Sequence, residues 1–164
     1  MGFTFQYRPT AISSVQKRLQ DIASAEKDQN HDLKVGVTPE KGSISEGGVT
    51  IAEVAAFQEF GTRTIPERSF LRSWFDAHKT VLQREMVQAR QKAYRGDTAA
   101  LSNLGHKWAD ELKGWVQGGA SFAPLAESTV QAKAAAGDAR PDSPLIASGK
   151  LIEAIGAMLD GASL

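Results

Sequence analysis

The chain contains no cysteine. Neither a disulfide framework nor a thiolate metal site can be built from it, an absence that fits a reducing cytoplasm. It has no charge excess of either sign, with 19 basic against 19 acidic residues. That balance does not point to nucleic acid as the main partner or to an acidic solvating tail, although a local basic patch stays open. Long apolar runs are also missing, and none approaches the roughly 20 residues that a membrane-spanning helix needs. The opening MGFTFQYRPT has no basic stretch leading into an apolar one, so it does not read as a secretion signal. The expectation is a soluble intracellular product. At 164 residues the chain reads most simply as one domain over 1–164 with a real core.

What is present is mainly helical pattern. Thr10 can cap a first helix whose stripe is Ile12, Val15, Leu19 and Ile22. Leu33, Val35 and Val37 alternate as in a half-buried strand. Pro39 to Gly48 reads as a flexible loop by composition. Thr50 and Glu53 have capping-box spacing, which predicts a short helix from Ile51 to about Phe60. Its residues are mostly apolar, so much of its surface should be covered. Gly61 should stop it in the left-handed conformation, and Pro66 suits the first turn of the next helix. That next helix carries Phe70, Leu71, Trp74, Phe75, His78, Val81, Leu82, Glu85, Met86 and Ala89 at three-and-four spacing. Gly96 and Asp97 break the pattern, and Thr98 can cap a further helix striped by Leu101, Leu104, Trp108, Leu112 and Trp115. The two form a long αα-hairpin. After Gly118 the chain turns often, with a helix over Ala126 to Ala136 and a last short one, capped by Ser148, through Leu151, Ile152 and Ile155. The fold class is α+β, mainly helical, with a small β-sheet.

Site chemistry is sparse. His31, His78 and His106 lie in different elements without ligand-pair spacing, and His78, on the apolar stripe, reads as a partly buried, hydrogen-bonded side chain. No nucleophile elbow, P-loop or dinucleotide fingerprint occurs. Asp110 and Glu111 are adjacent on a helix and point apart. Arg63, Arg68 and Arg72 cluster around the turn after Gly61. They can meet a partner carboxylate or DNA phosphate. Alternatively, Arg68 or Arg72 pairs locally with Glu59, Glu67 or Asp76, the reading favoured for Arg68. Arg63, at the exposed tip with Thr64 and Ile65, reads as a partner contact. Trp74, Trp108 and Trp115 share the helical phase of the core, while Trp115 at its helix end can be half exposed and belongs with the partner-contact candidates.

Two blocks carry a resemblance. IAEVAAFQEFGTRTIPERSFLRSWFD and FAPLAESTVQAKAAAGDARPDSPLIASGKLIEAI are similar to the paired signature blocks of the tailed-phage virion-morphogenesis family of neck and tail-completion proteins, which join head to tail. Its motif positions here are Glu59, Phe60, Gly61, Thr62, Pro66, Phe70, Leu71, Pro124, Leu125, Ser148, Gly149 and Leu151. Where relatives have Asp-Thr-Gly, this chain has Ala147-Ser148-Gly149, keeping the hydroxyl and the glycine but not the acid. Relatives often continue into a strand after the last helix. Here the ending GAMLDGASL leaves that strand short, absent or completed by a neighbour. The resemblance implies a structural virion protein made in the host cytoplasm. It implies no active site and no cofactor, and self-association into a hexameric ring docking a capsid connector or stopper to the tail tube or its terminator, with DNA as passing cargo. A tail terminator on the tube is the nearest alternative. A helical nucleic-acid-binding protein using Arg63, Arg68, Arg72, Arg84 and Arg90 is another, and a small hydrolase working through His78 or His106 is the third.

Overall fold

The computed structural model describes residue 17 and residues 31–46, 48–118, 122–145 and 149–164. The first helix expected after Thr10, the cap expected from Ser148, and residues 119–121 of the loop after Gly118 lie outside the described residues. The chain divides into two units, Met1–His31 and Asp32–Leu164.

In chain order the second unit runs β1 (Leu33–Val37), α1 (Pro39–Gly42), β2 (Ser45–Glu46), β3 (Val49–Thr50), α2 (Ile51–Phe60), α3 (Phe70–Tyr94), α4 (Ala100–Gly118), α5 (Glu127–Ala135), α6 (Lys150–Ala154), β4 (Ile155–Leu159) and β5 (Ala162–Ser163). It is an α+β fold, mainly helical, with a long helix pair, α3 and α4, and a small three-stranded antiparallel sheet. No described helix is long and apolar enough to cross a membrane.

The helix pair forms because each partner carries one apolar stripe. α4 is the central element, packed against α3 on one side and against β1 and β4 on the other. Its buried residues include Leu101, Leu104, Trp108, Leu112 and Val116, a three-and-four repeat. Gly105 sets how closely α4 approaches the sheet. A Cβ there would lie 2.9 Å from Leu33 Cδ1 and 3.0 Å from Ala157 Cβ, so only glycine lets helix and strands meet at this depth. α3 buries Phe70, Trp74, Leu82 and Ala89, while Phe75 and Val81, on the flanks of its stripe, are exposed. At the connection, the Asp97 carboxylate accepts from Ala99 N–H at 3.2 Å, the kind of bond expected of Thr98.

The sheet order is β1-β4-β5. β1 and β4 pair antiparallel with Leu33 opposite Leu159 and Val37 opposite Ile155. GAML therefore belongs to a strand that Ile155 opens instead of ending the last helix, and β4 is as long as β1. The hairpin to β5 turns on Asp160 and Gly161, with φ of +53° and +85°. The segment from Pro39 to Gly48 is likewise not a structureless loop. Pro39 starts a helical turn, where its missing N–H is harmless. β2 then pairs with β3 as a separate two-stranded ladder, Ser45 opposite Thr50.

Glu85 ties the helix pair together. It receives Trp108 Nε1 at 2.9 Å and forms an ion pair with Lys107. The Lys107 bond, then the Trp108 bond, lowers the Glu85 pKa below the ordinary value of 4.5. A depressed carboxylate pKa contributes stability that is fully present above the unfolded value and is lost as pH falls through the folded one. Glu85→Gln is therefore expected to flatten the acid limb of the urea midpoint against pH. The same steep limb in wild type and variant would remove Glu85 from that role.

Candidate functional site

The sequence blocks that carry the resemblance meet in space around the turn between α2 and α3. α2 begins with the expected capping box. Thr50 Oγ1 accepts Glu53 N–H at 3.2 Å, and Thr50 N–H donates to Glu53 Oε2 at 2.8 Å. The helix ends at Gly61, whose φ of +71° and ψ of 174° correct the left-handed C′ assignment. This region of backbone space is essentially open to glycine alone. The turn also folds back tightly, so a Cβ on Gly61 would lie 3.0 Å from Glu67 N and 3.1 Å from Ile65 O. Gly61→Val is expected to cost about 2 kcal/mol or more from strain, read by urea denaturation. An unchanged midpoint would show that the turn can relax around a side chain.

Thr62 holds the tip. Its hydroxyl accepts from Ile65 N–H at 3.0 Å and Thr64 N–H at 3.3 Å, and its own N–H donates to Ile65 O at 2.8 Å. Pro66 lies in this turn, not in the first turn of the next helix, which starts at Phe70.

Glu59 does what α3 cannot do locally. The first turn of α3 has no acidic residue, and its N-cap, Ser69, makes no side-chain capping bond. Glu59, only 6% exposed, reaches across from α2. Its carboxylate accepts from Leu71 N–H at 2.9 Å, Arg72 N–H at 3.1 Å and Ser69 Oγ–H at 3.0 Å. An acid placed there satisfies orphan donors and faces the positive end of the helix dipole.

Arg68 joins the two blocks. It is 3% exposed, donating from Nε to Ala123 O at 2.7 Å, from Nη2 to Pro124 O at 2.8 Å and from Nη1 to Gln58 Oε1 at 3.0 Å. Burial lowers its pKa from the ordinary arginine value. Arg68 thus bonds within its own chain, as expected, but its acceptors are carbonyls and an amide, not the expected acids. Arg72 is the residue with the acidic partner, Glu67, at 2.6 Å. With Arg68 inside and Arg72 paired, the turn's basic cluster leaves Arg63 as the exposed arginine at the tip.

The remaining candidates separate by burial. Phe70 and Leu151 are core, Leu71 is half-buried against it, and Thr62, Thr64 and Pro124 are exposed. Ile65 is half-buried. Leu125 and Gly149 line a crevice of about 210 Å³ with Ile51, Val54 and Leu151. On its wall, Lys133 closes the 138–143 turn by donating to Ser143 O at 2.8 Å and facing Asp138 at 3.2 Å. Trp115 is half-buried and donates from Nε1 to Ser73 Oγ at 3.1 Å. Its ring meets His78 edge-on at 5.4 Å. His78 Nδ1 lies 2.8 Å from Trp74 O, which places its proton on Nδ1, because a carbonyl only accepts.

The chain matches no family model, no curated protein and no solved structure. What the structure brings forward instead is an exposed surface on α2, a helix expected to be largely covered. Phe57 is 39% and Phe60 71% exposed. Ile51, Ala55 and Glu59 face inward on α2, so Ala56, Phe57 and Phe60 fall on the opposite face. Their spacing puts the two phenylalanines on one face of the helix, but only the burial of Ile51, Ala55 and Glu59 shows that this face is the exposed one.

Proposed function

We propose that this chain is a structural component of a tailed-phage virion, working at head–tail joining or tail completion as one copy in a ring held by protein–protein contacts. The observation that carries the reading is the Arg68 junction. The two blocks that resemble the neck family are far apart in sequence, and the buried Arg68 guanidinium bonds one to the other where α2 also packs on α6. Each odd feature of the first block then has a physical task. Glu59 caps the long helix, Gly61 permits the tight reversal, Thr62 braces the tip, and Arg68 fastens the second block. The result is a hydrogen-bonded, exposed tip beside an exposed phenylalanine face, which suits assembly into a larger particle.

The test is electron microscopy of particles from the parent phage lacking this gene. DNA-filled heads beside separate finished tails are the expected outcome. Abnormally long or ragged tails would move the chain to tail termination, and normal infectious particles would overturn the structural reading.

A further inference from the structure

We propose that the groove between α3 and α4 receives the exposed end of α2 from a second copy of this chain, in a head-to-tail contact. The identity of the occupant rests on the ring reading of the protein's function. The groove has a volume of about 530 Å³ and is lined by Trp74, His78, Val81, Glu111, Gly114 and Trp115, among others. That is room for one or two aromatic side chains, within the size range of sites that hold small ligands.

Two properties of the groove match the tip. The first is shape and apolarity. Phe57 and Phe60 stand on a helix end whose following turn is fixed by Gly61 and the Thr62 hydroxyl. An anchor already held in place loses little entropy on docking. The second is charge. The segment from Gly61 to Pro66 carries Arg63 and no acid. The groove wall carries Glu111, whose contact with Lys107 is long at 3.5 Å, while Lys107 sits closer to Glu85. Glu111 therefore keeps acceptor capacity for an incoming guanidinium. Because tip and groove are different patches, the contact is heterologous and propagates from copy to copy until it closes.

Two variants break opposite halves of the contact without touching the core. Phe60→Asp alters the tip, where the side chain is already mostly in solvent. Gly114→Lys alters the groove at a helical position where a Cβ meets nothing within 4 Å, sets a like charge against Arg63 and a competing partner beside Glu111, and replaces a poorer helix former. Both are expected to keep the wild-type melting temperature. In sedimentation velocity and native mass spectrometry the wild type is expected to form a ring. Each variant alone is expected to associate roughly 30-fold more weakly or worse, the scale of an interface hot spot. Mixed in equal amounts, the variants retain one good tip and one good groove between them, so they should form a heterodimer that grows no further. A wild type that stays monomeric at high concentration, variants that assemble like wild type, or a mixture without heterodimer would each overturn the proposal. The gene-deletion outcome is independent. Variants that still form rings, with heads and tails unjoined in the deletion, would sink the docking contact alone. Normal virions together with the heterodimer would sink the neck reading alone.

Discussion

Phe70→Ala is expected to lower the stability of the fold by roughly 3–5 kcal/mol, the range for truncating a fully buried aromatic. Phe70 is 0% exposed and opens α3. It belongs to the core cluster that also holds Ile51, Trp74, Leu112 and Val116. The truncation removes apolar area and leaves a cavity that close-packed neighbours can only partly refill. Domains of this kind are stable by only about 5–15 kcal/mol, so a substantial fraction of that margin would go. Phe75→Ala in the same helix is the control, since Phe75 is exposed and should change little. Urea denaturation of both variants decides the matter. A Phe70→Ala protein as stable as wild type that fails to assemble would move Phe70 from core to interface.

Glu59→Ala should cost about 3 kcal/mol. The carboxylate accepts three bonds in a buried place, two of them from backbone N–H groups at the start of α3. Bonds to a charged group contribute about 1.5–3 kcal/mol, and donors left unsatisfied add a further cost. The dipole of a long helix adds up to about 2 kcal/mol in favourable partly buried geometry, and the contributions are not additive. Glu59→Gln keeps the shape and one acceptor, so it should lose about half as much, and Ser69→Ala, with one bond removed, about 1 kcal/mol. The readout beyond the urea midpoint is hydrogen exchange at Leu71 and Arg72, which should speed up in Glu59→Ala. Unchanged protection at those two amides would show that the helix end is satisfied without Glu59.

These two residues illustrate unequal legibility. Phe70 could be placed in the core from its spacing alone, because a helical stripe is a local pattern. Glu59 could be picked out as a motif position, but not as a cap, because its acceptor role depends on the reversal at Gly61 bringing residues 10–13 positions on back over it. Arg68 is harder still. Its carbonyl acceptors lie 55 and 56 positions away, whereas nearby acids offered a plausible but mistaken partner. Composition misled at Pro39 to Gly48, where glycine and serine hid a helical turn and a two-stranded ladder. Hydrophobicity misled at Phe57 and Phe60, since apolar character does not say which face of a short helix the core occupies.

The sequence by itself determined the elements whose signals are local: the Thr50–Glu53 capping box, the stop at Gly61, the β1 alternation, and the stripes of α3 and α4. Each rests on groups within about a turn or two of one another, where backbone geometry alone fixes who meets whom. Only the tertiary structure decided that Ile155 opens a strand, that Glu59 caps a neighbouring helix, that Arg68 is buried as a clasp, and that Phe60 stands in solvent. Those outcomes depend on pairings between distant segments. A strand needs its partner's edge, a buried charge needs its acceptors, and exposure is defined only once every other element has taken its place.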